Sequence, residues 1–110
     1  DRIVWLTGAG VKDDRDEKAL SRSLIRGLMK VVAGKVLSYS EEAYRIVTAA
    51  GLEYTVPRAP MLSEDPAKGG LEAGYSPPKP KPVSREDVAA FILDVVGEGK
   101  FKKESPMIGY

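Results

Sequence analysis

The sequence predicts an α/β fold built on a parallel sheet, and three observations carry that expectation. Ile3 to Leu6 is a near-continuous apolar run without alternation, the pattern of a strand covered on both faces. Two stretches with apolar residues at helical spacing follow, and then a second strand-like run, Leu52 to Val56. Another helix-patterned segment and a short apolar terminus repeat the alternation, which is the order that right-handed crossovers join into one sheet.

Taken in order, the first strand runs from Ile3 into the turn Thr7-Gly8-Ala9-Gly10. Many dinucleotide-binding domains open with a strand ending in such a turn. The phosphate-binding spacing G-x-G-x-x-G, begun at Gly8 and Gly10, nevertheless requires a glycine where Asp13 stands. The segment Lys12 to Glu17, KDDRDE, then places four carboxylates where a pyrophosphate needs backbone N–H groups and a positive helix end. This acidic loop also lacks the ligand spacing of a calcium loop and reads as solvated charge.

Leu20, Leu24, Leu28 and Val31, flanked by Ile25, Met29 and Val32, form the stripe of an amphipathic helix running to about Ala33 and stopped by Gly34. Ser38-Tyr39-Ser40-Glu41 fits a capping box for a second helix, carried by Ala43, Ile46, Val47 and Ala50 to a terminal Gly51. Leu52 to Val56 is the second strand, stopped by Pro57. Pro66 to Pro82, with its PPKPKP segment, predicts an extended surface loop, because proline cannot donate to a central ladder. A proline-rich ligand for a partner domain is the weaker reading of that segment. Ser84-Arg85-Glu86-Asp87 starts a third helix with Val88, Phe91, Ile92, Val95 and Val96 on its apolar face, ending at Gly97, and Pro106 to Tyr110 is a last short strand. Three strands make a small parallel sheet, which normally has further neighbours. The chain begins at Asp1 and enters a strand almost at once, so the expectation is one domain over residues 1–110 that continues a larger one.

Composition narrows the function classes. Seventeen Lys and Arg against sixteen Asp and Glu, interspersed along 110 residues, give no basic stripe for nucleic acid. Without Cys or His there is no disulfide framework, thiolate metal site, imidazole ligand or His-based triad, and no metal is expected. No apolar run approaches the ~20 residues of a membrane span and no signal segment opens the chain, so the expected location is cytoplasmic.

Ligands of open parallel sheets bind beyond the carboxyl ends of the strands. Thr7 to Gly10 follows the first strand and Arg58-Ala59-Pro60-Met61 the second, so both loops should open on one edge. Thr7 offers a hydroxyl, the glycines offer close approach to backbone, and Arg58 offers a fork for an anion or an amide. The plainer reading makes the glycines simple turns and pairs Arg58 with a local carboxylate. Tyr39 and Tyr44 are candidate proton donors, but neither has a Lys four residues later to lower its pKa; Tyr39 is retained as a possible cofactor contact and Tyr44 as a packing residue. The catalytic residue stays unassigned, and Met29, Met61 and Met107 are too scattered to form a cofactor box.

The strand with TGAGV, the run from Ala43 through RIVTAAGLEYTV to Arg58, Pro60 and Met61, and VSREDVAAFILD after the Gly/Pro-rich loop together resemble one family. It is the atypical short-chain dehydrogenase/reductases, in the NAD(P)H-binding, NmrA-like group that includes flavin and biliverdin reductases. Gly51, Leu52, Tyr54, Thr55, Arg58, Pro60, Ser84, Arg85, Asp87, Val88 and Ala89 carry the match. The resemblance implies the carboxyl-terminal half of a Rossmann-like parallel sheet with flanking helices. It also implies that Thr7, Gly8, Ala9 and Gly10 lie near the nicotinamide and its ribose, and that Arg58, Ala59, Pro60 and Met61 close over the nicotinamide largely through backbone atoms. The cofactor would be NAD or NADP, its phosphate loop lying on an earlier strand supplied by an amino-terminal half or another chain. Pro57 departs from the pattern, standing where the family usually has Val or Ile. The implied activity is reduction of a small planar acceptor such as a flavin or quinone; the alternative is a non-catalytic NAD(P)-sensing regulator or interaction protein of the same fold.

Overall fold

The computed structural model describes residues 1–17, 20–76, 79 and 81–110. Its central feature is a parallel ladder in constant register. Strand β1 (Arg2–Val4) pairs with β3 (Glu53–Thr55), with Ile3 opposite Tyr54. Strand β2 (Thr7–Gly8) pairs with β4 (Arg58–Ala59), with Thr7 opposite Arg58. Trp5 N–H donates to the Thr55 carbonyl at 3.0 Å and Thr7 N–H to the Pro57 carbonyl at 2.9 Å, so the two pairs are one run. Pro57 has no N–H to return, which breaks the ladder for one bond and divides each strand in two. The continuous strands expected over Ile3 to Leu6 and Leu52 to Val56 are corrected accordingly: Pro57 interrupts the second without ending it.

Strand β8 (Met107–Gly109) joins the far side of β4 in parallel, Met107 opposite Arg58, as expected of Pro106 to Tyr110. Val56 N–H to the Glu104 carbonyl (3.0 Å) and Arg58 N–H to the Pro106 carbonyl (2.9 Å) extend that contact. Strand β6 (Glu72–Gly74) then pairs antiparallel with β8. This strand lies inside the segment expected to be a surface loop. Its residues contain no proline, so their N–H groups are available to a ladder that the flanking prolines could not join. A short parallel pair, β5 (Leu62–Ser63) with β7 (Val83–Ser84), stands beside the main sheet.

The two helices expected between the first strands are a single helix, α1 (Leu20–Ala49). Gly34 does not stop it: an interior glycine costs about 1 kcal/mol against alanine, and in a helix of 30 residues the flanking turns outweigh that. The Ser38 box is therefore unused as a helix start. Gly51, at φ 76°, takes the left-handed conformation expected after the helix end. Of the apolar stripe, the side chains of Leu20, Leu24, Ile25, Leu28, Met29 and Val32 lie outside the described residues, as do Pro77, Pro78 and Pro80; Val31 is 85% exposed, off any buried stripe.

Helix α2 (Arg85–Glu98) starts as expected, with Ser84 Oγ accepting the Glu86 N–H at 3.2 Å. Its terminus is set by Gly99 at φ 63°, two residues past the expected Gly97. Ala59, Val83, Val88 and Ile108 form the core beneath α2, with Leu6, Leu62, Phe91 and Ile92 packed around them. Since strand side chains alternate, the same register sends Thr7, Arg58 and Met107 to the opposite face of the sheet.

Candidate functional site

Gly8 to Val11 form a tight turn closed by Val11 N–H to the Gly8 carbonyl at 3.2 Å. Ala9 N–H donates to the Ala59 carbonyl at 2.8 Å, tying this turn to the second strand-end loop. The two loops therefore meet on one edge, as the parallel order requires. Gly8 is exposed, and an added Cβ there would meet nothing within 4 Å. Its φ is also ordinary, so neither handedness nor crowding demands glycine; what its small size leaves is open backbone. Around it, Thr7, Gly10 and Ala59 are buried, Ala9 and Pro60 are half-buried, and Met61 is 75% exposed. Tyr39 stands 67% exposed on α1, and no hydrogen bond described for it links it to these loops.

Arg58 is the main correction. Its side chain is fully buried and does not face the open edge as a fork for a ligand. Nη1 and Nη2 donate to Asp16 Oδ2 and Oδ1 at 2.7 and 2.6 Å, Nη1 also donates to the Val11 carbonyl at 2.9 Å, and Nε donates to the Ser105 carbonyl at 2.6 Å. The guanidinium carbon lies 5.8 Å from the Tyr75 ring centroid. The Arg58 backbone is buried as well, with the N–H bonded to the Pro106 carbonyl inside the sheet.

The acidic loop is likewise corrected. Asp16, 8% exposed in its side chain, pairs with Arg58 and accepts the Asp13 N–H at 3.0 Å; it is not solvated charge. Asp13 Oδ2 accepts the Tyr44 hydroxyl at 2.7 Å, and that same hydroxyl bonds Ser105 Oγ at 2.9 Å. Tyr44 is thus a polar bridge from α1, more than a packing residue. Burial pushes its pKa up to about 12, with the Ser105 bond opposing and Asp13 adding to the shift. Tyr75 Oη joins Arg15, Glu104 and the Ser105 N–H, and burial raises its pKa too. Spacing could not reveal this network, because its members come from five separate segments.

On the other side of the edge, Asp87 accepts the Lys68 and Gly69 N–H groups and the Tyr110 hydroxyl, which hold its carboxyl below the usual range; the Tyr110 bond contributes most. The start of α2 thereby fastens the loop that follows Met61.

A mainly parallel sheet with helices, joined strand-end loops and an open glycine at its carboxyl edge define a Rossmann-like fold. A family model described as NAD(P)H-binding matches residues 1–98, and the chain belongs to that family. Its cofactor is NAD or NADP. Comparison by sequence with curated proteins finds no match. Among solved structures, the chain is similar to ChuY of Escherichia coli O157:H7, described as an anaerobillin reductase, with TM-score 0.78 and 20% identity over 97% of this chain and 48% of that one. It is similar also to ChuY of E. coli CFT073, with TM-score 0.78 and 18% identity over 96% of this chain and 54% of that one. A short-chain dehydrogenase/reductase from Veillonella parvula DSM 2008 in complex with NADP gives TM-score 0.68 and 22% identity over 97% of this chain and 49% of that one. The chain spans about half the length of these structures. Among the described residues, no helix is long and apolar enough to cross a membrane.

What this edge leaves open is Gly8, with half-buried Ala9 and Pro60 and exposed Met61 in the same two loops. The turn does not suit a pyrophosphate: Asp13 holds the place of the third glycine, and the carboxylates of Asp13 and Asp16 sit just beyond it.

Proposed function

We propose that these residues form the nicotinamide-facing, later half of an NAD(P)H-dependent reductase whose acceptor is a small planar molecule of the flavin, quinone or linear tetrapyrrole class. The observation that supports this most is the bonded pair of strand-end loops, which presents open backbone at Gly8 of the first loop and an exposed Met61 in the second. The bound dinucleotide supplies a hydride, and the chain's part is to hold the ring at that edge and limit water around it. An acceptor of this class needs little help from a protein acid, consistent with the lack of a Tyr/Lys pair. Tyr44 does not supply one, since its hydroxyl is engaged by Asp13 and Ser105 and its pKa lies near 12. The phosphate-binding glycine loop would come from the preceding half of the domain.

The test is NADPH oxidation by the full-length polypeptide with a flavin and with a linear tetrapyrrole as acceptors. Turnover with either supports a reductase. Binding without turnover favours a sensor of the same fold, and absence of NADPH and NADH binding defeats both readings.

A further inference from the structure

We infer that Arg58 and Asp16 act as one positioning unit for hydride transfer, holding from beneath the backbone that meets the nicotinamide. The inference rests on the reductase reading above and adds residues that contact neither cofactor nor acceptor. Arg58 occupies the middle of the site's three-strand floor, between Thr7 of β2 and Met107 of β8. Its side chain leaves the sheet on the face opposite α2 and fastens three pieces of chain. The Val11 carbonyl fixes the last residue of the glycine turn, Asp16 fixes the loop beyond it, and the Ser105 carbonyl fixes the entry to β8. Four of the five N–H donors of the guanidinium are used, in a planar fork that lysine cannot reproduce.

The turn from Gly8 to Val11 is thus held at both ends, by Ala9 N–H on the Ala59 carbonyl at its tip and by Arg58 on Val11 at its exit. Val11 is itself buried. A second tie runs from α1, where the Tyr44 hydroxyl holds Asp13 in the same loop and also Ser105, which Arg58 holds through its carbonyl. The side-chain ties of this loop, from Arg58 and Tyr44, are made at Val11, Asp13 and Asp16, and none is made at Gly8 itself. Such an arrangement sets where the backbone stands without touching what binds to it, and hydride transfer is sensitive to that placement, since a displacement of about 1 Å can lower a rate by roughly a hundredfold.

The experiment compares Asp16→Asn, Asp16→Glu and Arg58→Lys with the parent full-length polypeptide, measuring kcat, KM and Kd for NADPH, and Tm. Asp16→Asn keeps the shape but loses the charge and one accepting oxygen. The expected result is a fall in kcat of about ten- to a hundredfold at saturating NADPH, with Kd for NADPH changed less than about threefold. Asp16→Glu, which restores the carboxylate, should recover part of kcat. The rates are read well below each variant's Tm, so loss of folded protein does not enter. A kcat within twofold of the parent in Asp16→Asn, with Tm lowered, overturns the inference and leaves the pair a purely structural clamp. Where Asp16→Asn and Arg58→Lys fail to fold, Asp16→Glu tests the unit by itself, since it keeps the charge but displaces the carboxylate by one methylene; a several-fold drop in kcat with unchanged Kd is then expected, and a kcat within twofold of the parent overturns the inference. A parent protein that turns over while the variants match it refutes only the positioning role. A parent that neither binds nor oxidises NADPH refutes the function on which that role depends.

Discussion

Arg58→Ala deletes a guanidinium with no solvent exposure and takes its donors from three acceptors around it. Asp16 would keep its charge with its side chain 8% exposed, and the Val11 and Ser105 carbonyls would lose their side-chain donors. Removing one member of a buried pair destabilises by about 3–5 kcal/mol, chiefly because the remaining charge is left uncompensated. The two carbonyls act in the same direction, but terms within one network do not add, so about 3–5 kcal/mol stands for the whole substitution. Against a typical domain stability of ~5–15 kcal/mol this is a large fraction. For a polypeptide of about twice this length each kcal/mol is about 2–4 °C in Tm, which puts the expected fall at about 6–20 °C. Urea and thermal denaturation of the full-length polypeptide measure it. Adding Asp16→Leu to Arg58→Ala should recover part of the loss by removing the buried charge that Arg58 had balanced. A fall below about 1 kcal/mol, or a raised Kd for NADPH at unchanged stability, would show that Arg58 faces the ligand and that the buried clamp is wrong.

Gly8→Val should leave Tm within a few degrees, because the glycine has ordinary φ and open space above it, yet lower kcat/KM for NADPH by about tenfold or more by covering the backbone; unchanged kinetics would remove Gly8 from the site. Tyr44 gives an alkaline prediction. Its folded pKa near 12 lies above the ordinary value of 10.0, so the proton is held more tightly in the folded state; the associated stability is complete below pH 10 and is lost as pH rises from there through 12. Stability measured against pH should show this loss in the parent and not in Tyr44→Phe. The 110-residue chain alone should not bind NADPH tightly, since its glycine turn suits the nicotinamide end and not the pyrophosphate; micromolar one-to-one binding by calorimetry would contradict that account of the turn.

Local pattern determined much of this protein. The apolar run at Ile3 to Leu6 and the Thr- and Tyr-rich run at Leu52 to Val56 announced two parallel strands, but not the covering of both faces that an unbroken run predicts: Ile3 to Leu6 are half-buried and Glu53 is exposed. Ser84 announced α2 because capping is a contact between residues two apart, and Gly51 announced the end of α1 because the left-handed conformation favours glycine. The meeting of Thr7 to Gly10 with Arg58 to Met61 followed from strand direction alone. Helix joins were less legible: Gly34 and the Ser38 box look like a break, but a residue's local preference of about 1 kcal/mol yields to the helix on both sides of it.

Tertiary structure decided everything that depends on which charge meets which. KDDRDE reads as solvent-facing because nothing in its spacing separates Asp16 from its neighbours, and only the folded chain brings it under Arg58, 42 residues away. The same holds for Tyr44 with Ser105 and for β6 with β8. Period and propensity report the backbone's near surroundings, whereas a buried ion pair is selected by long-range register, where one residue's shift along a strand would turn Arg58 toward α2 and leave Asp16 without it.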